Sequence, residues 1–173
     1  AFSGELVGAM TSTQLAGLDA AKLDVLGATQ IAAISATNFS GLNATQVASL
    51  DVTQLTGLTA TQMKGLSTTD IGELAASQIG GLAASQIGSL EAAAIAAFAA
   101  AQLAALSTTQ IGGMTASHIA ALSATQLDAL ETTQIGALSA AQVAGLSGTQ
   151  VSTLSDTQVG TMNATQLGGL SET

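Results

Sequence analysis

Cysteine, proline, arginine, tryptophan and tyrosine are absent from this chain, and its only aromatic side chains are Phe2, Phe39 and Phe98. The lack of cysteine excludes disulfides and thiolate metal sites, and it fits a reducing cytoplasm or a secreted bacterial protein equally. Catalysis needs convergent polar groups with tuned proton affinities. One histidine, two lysines and carboxylates scattered along the sequence do not supply them. The sequence therefore predicts a protein that is not an enzyme, with no catalytic, cofactor-binding or metal-binding residues and no cofactor.

Basic charge is equally scarce. Lys22 and Lys64 stand against eleven acidic residues, for a formal net charge of −9. Such a chain is repelled by nucleic-acid backbones and anionic membranes, so neither is an expected partner. The acids form no block and are read as keeping an otherwise apolar rod in solution. Long hydrophobic runs are missing too. The longest, Ala92 to Ala101, is about half of the roughly 20 residues that a membrane-spanning helix needs, so no membrane insertion is expected. The opening Ala-Phe-Ser-Gly-Glu has neither the basic nor the apolar region of a signal peptide.

What the chain does contain is one repeat. Every glutamine lies at a position reached from Gln14 in steps of eight, filling fifteen of the twenty slots through Gln166. Lys22, Asn38, Asp70, Ala94 and His118 occupy the other five, so the register never slips between residues 11 and 170. Numbered from 1 to 8, the octad reads Ser/Thr, Ala, Thr, Gln, aliphatic, small, small, Leu, as in residues 123–130. The whole chain, 1–173, is read as a single octad-repeat unit with no linker. Residues 3–10 form a degenerate octad and residues 171–173 a truncated one.

A period of eight suits neither uniform element. One continuous helix would rotate its apolar stripe by about 80° per octad. A strand would send apolar spacings of 3 and 5 to alternate faces. A helix that restarts in every octad satisfies the pattern. Ser or Thr at position 1 and Gln at position 4 make a capping box, in which the hydroxyl accepts from the N3 amide and the Gln reaches back to the N-cap amide. Leu at position 8 and the aliphatic residue at position 5 of the next octad then form the hydrophobic staple. Fourteen of the twenty octads keep Ser, Thr, Asp or Asn at the cap. Helices of one and a half turns cannot stand alone and must lean on neighbours. The small residues at positions 6 and 7, such as Gly80-Gly81 and Gly112-Gly113, permit a sharp reversal and close helix approach.

The expected fold is therefore all-α, a solenoid of very short capped helices, one per octad. Four of the five exceptional slots differ by multiples of 24 residues, which points to three octads per superhelical turn. Two octads per turn remain an alternative, as does a triangular β-solenoid, because Thr and Ile also favour strands.

Few residues invite a chemical reading. His118 stands in a glutamine slot and is expected to make the same back-bond to its helix start. The pairs Asp70/Glu73 and Asp128/Glu131 share helical i,i+3 spacing but lack the oxygen-rich run and glycine of a calcium loop, and are read as solvated charge. Asn38, Asn43 and Asn163 match a glycosylation acceptor pattern, although Asn43 and Asn163 are already explained as caps. Met10, Met63, Met114 and Met162, with Phe39 and Phe98, fall at positions 5 or 8 and fill the core. Thr at position 3 would form ladders in a stacked solenoid, which raises an ice-binding reading, but Ala21, Ala93, Ala101 and Ala141 interrupt them.

Phe2 extends the register as a position 8, and no atypical polar repeat closes either end as solitary solenoids require. Unpaired coil faces of this kind are head-to-tail surfaces that propagate into filaments. The octads also resemble the L-S-x-x-Q-I-x-x-L tracts of large secreted or surface proteins of bacteria, many of them adhesin-like, over Thr11 to Leu170. That resemblance implies an extracellular, load-bearing or spacer role. The sequence thus predicts a secreted or cell-surface bacterial structural protein whose partner is itself, self-assembling into extracellular filaments by head-to-tail or lateral packing. A stalk of a large surface adhesin is the alternative, and an ice-binding or ligand-binding solenoid a more distant one.

Overall fold

The computed structural model describes residues 3–170, so Phe2 and the truncated octad at 171–173 lie outside the described residues. Among those described, it contains twenty-one helices of four to seven residues and no strand. The degenerate first octad is a full member of the array. Ser3 caps the helix Gly4–Gly8 by accepting from the Leu6 amide, and Val7 is completely buried.

Each octad builds its helix as its capping chemistry dictates. Thr11 is extended at φ −75°, ψ 162°, accepts from the Gln14 amide, and donates its own amide to Gln14 Oε1 at 2.8 Å. Full boxes of this form recur at Asn43, Asp51, Thr59, Ser107, Ser123 and Ser139. Where the cap is Ala75, Ala83 or Ala99, only the glutamine half of the box remains. The last turn closes by bonds from the position 8 amide to the position 5 carbonyl, as from Leu66 to Met63. An extended position 8, such as Ile34 at φ −65°, ψ 133°, then joins an extended cap to make the corner.

No described residue has positive φ. The corners therefore do not use glycine's left-handed freedom, contrary to one half of the reason for expecting small residues there. The other half holds. A Cβ on Gly57 would stand 2.7 Å from the Ala28 carbonyl oxygen, and one on Gly113 would stand 2.6 Å from that of Ala84. Position 7 is small because the next coil's backbone lies against it.

Helices pack on their third neighbours. Ala44–Ser49 packs on Thr68–Glu73, then in turn Ala92–Ala96, Ala116–Ala121, Ala140–Ala144 and Ala164–Leu170. This is the three-octad relationship, and the two-octad alternative and the β-solenoid are not what forms. The coil is somewhat longer than 24 residues, however. Bonds between coils span 28, 30 and 31 residues. A coil of 28 residues holds 28/8, or three and a half, octads. The three rows of helices therefore wind about the axis instead of running straight.

Positions 5 and 8 meet on the axis. One apolar cluster runs from Val7 to Met162, with Leu23, Ile31, Ile71, Ile95, Ile119 and Ile135 fully buried. Burying each such side chain contributes about 1.5–3 kcal/mol, the stabilisation that an isolated five-residue helix lacks. Met63, Met114, Met162, Phe39 and Phe98 are buried in this cluster and Met10 is half-buried against it, as core fillers should be. No helix among the described residues is long and apolar enough to cross a membrane.

Candidate functional site: a ladder of glutamines

The repeated polar feature of the interior is the glutamine at position 4, buried in twelve octads from Gln46 to Gln166. A buried amide must satisfy both its oxygen and its nitrogen. The oxygen is used locally, in the capping box. The nitrogen reaches the preceding coil, where Gln62 Nε2 donates to the carbonyls of Ile31 and Ile34, residues at positions 5 and 8, both at 2.8 Å. Gln142 does the same to Ile111 and Met114 at 2.8 Å each. Each glutamine thus starts its own helix while holding the orphan carbonyls at the end of a helix one coil back.

A single octad read alone does not reveal this second role, yet a signal for it is present in the sequence. A capping box accepts Glu as readily as Gln at N3, and glutamate occupies none of the twenty slots. The cap needs only the oxygen. The exclusive choice of the amide indicates that its nitrogen has a partner.

The five exceptions show how the ladder tolerates other chemistry. Asn38, shorter by one methylene, donates from Nδ2 to a single carbonyl, that of Met10, at 2.9 Å. Lys22 pairs with its own cap, Asp19, at 2.8 Å on the surface. That hydrogen bond holds the Asp19 carboxyl below the usual carboxylate range. Ala94 has no polar side chain to offer, and Lys64, in the coil beneath, lies 3.5 Å from the cap residue Glu91.

Asp70 departs from the expectation of solvated charge. It is 5% exposed, and its Oδ2 accepts from the Ser67 amide and from Ser40 Oγ, both at 2.6 Å. The slot is interior through most of the rod, so an acid placed there is drawn inside and needs a hydroxyl from the coil beneath. Glu73, on the same helix, has Oε2 buried without a hydrogen-bond partner. The second pair, Asp128 and Glu131, is exposed. Among the described residues no three acidic or histidine side chains come together as metal ligands do.

His118 makes the expected back-bond and more. Its ring is 4% exposed, Nδ1 accepts from the Thr115 amide at 3.2 Å, and Nε2 lies 2.9 Å from the Leu90 carbonyl oxygen. With one N–H to give, it serves one carbonyl where glutamine serves two. Asn43 and Asn163 are caps, accepting from the Gln46 and Gln166 amides.

Position 3, home of the threonines, is exposed throughout, at Thr45, Thr61, Thr109 and Thr149 among others. Position 7 of one coil lies over position 2 of the coil beneath, 29 residues earlier, as in Gly145 over Ala116. The same offset sets position 3 over position 6. Threonines of successive coils therefore do not stack on one another.

The cavity that Asp70 borders, of about 10 Å³, is lined otherwise by core side chains such as Phe39, Met63 and Leu74. What the arrangement does chemically is mechanical: it couples each helix start to a helix end one coil away. No curated protein and no solved structure shows significant similarity to the chain. Residues 87–124 and 117–148 match the ALTTAQ repeat family, whose name falls in register with Ala105-Leu-Ser-Thr-Thr-Gln110, and over that span the chain is a tandem array similar to ALTTAQ repeats.

Proposed function

We propose that this chain is a structural protein, a rod that bears load along its axis outside the cell and that extends by stacking coil on coil into filaments. The observation that supports this reading is the polarity of the contact between coils. One face of a coil presents glutamine N–H groups and the other presents helix-end carbonyls, as between Gln134 and the carbonyls of Leu103 and Leu106. The two faces are unlike and complementary, and a heterologous contact of this kind adds in one direction without limit unless it closes into a ring. The partner is a second copy of this chain, joined by the contact that already joins its coils.

The acidic balance argues against nucleic acid as a partner, and membrane insertion forms no part of the reading. An extracellular bacterial setting is supported by the likeness to octad tracts of surface proteins and by the scarcity of lysine. The stalk of a larger surface protein uses the same rod without the filament. It is favoured by the unbroken core, which runs from Val7 to Met162 with no boundary at which the rod would bend.

Electron microscopy and small-angle scattering over a range of concentrations test the proposal. Fibres with a regular axial repeat are expected above a critical concentration. Isolated rods of about 50–60 Å at every concentration, six coils at roughly 8–10 Å each, would overturn the filament and leave the stalk. A compact particle would overturn both.

A further inference from the structure

We infer that His118 makes the coil it occupies an acid-sensitive joint, the one place in the ladder where a proton can release a helix start from its neighbours. The argument rests on which nitrogen does what. Nδ1 accepts from the Thr115 amide and so carries no hydrogen, while Nε2 carries the ring's one hydrogen and donates it to the Leu90 carbonyl. The ring is therefore neutral, in the Nε2–H tautomer, and copies the acceptor and one donor of a glutamine.

Adding a proton destroys the copy. An imidazolium has two N–H donors and no acceptor. The new Nδ1–H would point at the Thr115 N–H, donor against donor, in a site that is 4% exposed. The charged ring must leave for solvent, and with it goes the bond to Leu90, which ties this helix to the coil beneath. A glutamine in the same slot has no proton to gain and cannot do this.

The surroundings set the direction. Burial pushes the His118 imidazole below its ordinary 6.5, against the opposing pull of the Leu90 carbonyl and the Glu91 carboxylate. The helix Ala116–Ala121 packs on Ala92–Ala96 and Ala140–Ala144, neither of which carries a titratable group. Glu91 is the charged residue facing the ring from the coil beneath, and Lys64 lies 3.5 Å from its carboxylate. With the folded-state value below the unfolded one, stability is fully present above about 6.5 and is lost as pH falls through the folded value.

The experiment compares the chain with its H118Q variant by amide hydrogen exchange at pH 7.5 and pH 5.0. Comparison of the two proteins at each pH cancels the intrinsic effect of pH on exchange and the titration of the carboxylates they share. At pH 5.0 the amides of residues 115–122 are expected to lose tenfold or more of their protection in the wild type relative to the variant, with no such difference at pH 7.5. Equal protection of this segment in both proteins at pH 5.0 would overturn the inference. If H118Q does not fold, an NMR titration of the wild type serves. The His118 ring and the Thr115 amide are then expected to change with one midpoint, and a ring that titrates while Thr115 stays protected would overturn it.

Discussion

The side-chain nitrogen of Gln102 donates to the carbonyl oxygen of Leu74 at 2.7 Å across 28 residues of sequence, while its Oε1 accepts from the amide of Ala99 at 2.8 Å. One amide is therefore a local cap and a long-range tie. The two roles can be separated because they use different atoms.

Replacing Gln102 by Glu keeps the cap acceptor and removes the tie, setting a carboxylate against the carbonyls of Ile71 and Leu74. Loss of about 3 kcal/mol or more is expected for an uncompensated buried charge. Gln102→Ala should cost about 1–3 kcal/mol, because it leaves those carbonyls and the Ala99 amide unpaired. Urea denaturation of the two variants measures both. A Glu variant as stable as wild type would show that the nitrogen does nothing for the fold.

Adjacent glycines in the helix Thr108–Gly113 should respond in opposite directions. A Cβ at Gly112 meets nothing within 4 Å, so Gly112→Ala is expected to stabilise by about 0.5–1 kcal/mol through the lower entropy of the unfolded chain. A Cβ at Gly113 would stand 2.6 Å from the Ala84 carbonyl oxygen, so Gly113→Ala should cost about 1–3 kcal/mol. Thermal melts of the pair decide it, and equal shifts would contradict the close approach of coils at position 7.

Ala94 interrupts the ladder where the carbonyls of Met63 and Leu66 would receive a glutamine. Ala94→Gln is expected to supply that donor, along with an acceptor for the Glu91 amide, and to stabilise by about 1–2 kcal/mol. Chemical denaturation measures it. Destabilisation would mean that the interior around Ala94, which is 2% exposed, has closed over the missing side chain.

Ile119 lies in the core with no exposed surface. Its truncation to Ala should cost about 2–5 kcal/mol. Because stability in a solenoid is carried by neighbouring repeats, the damage should be local. Hydrogen exchange is expected to show the loss concentrated in the coils that touch the helix Ala116–Ala121, and uniform loss along residues 3–170 would argue against a one-dimensional architecture.

Much of this fold is legible in eight residues. Ser123 and Gln126 announce a capped helix, Leu122 and Leu127 a staple, and small residues at positions 6 and 7 a tight contact, because each of these signals is local and repeats in register. The interior position of slot 4 is less legible. Asp70 reads as a surface acid in one dimension and is buried in three, since only the neighbouring coil, through Ser40, covers it. The corner chemistry is hidden for a related reason. Glycine's freedom is a property of its own backbone, but at Gly57 and Gly113 what matters is the carbonyl oxygen of another coil.

By itself, the sequence determined that the chain is all-α, that a helix begins at every position 1, and that positions 5 and 8 face inward, because capping, staple and periodicity act within a dozen residues. The tertiary structure alone decided the length of the coil. Each corner adds a rotation set by its φ and ψ, and the sum over successive octads closes at about 28 residues and not at the 24 that whole octads would suggest. That sum chooses the carbonyls each glutamine meets, and no single octad contains it.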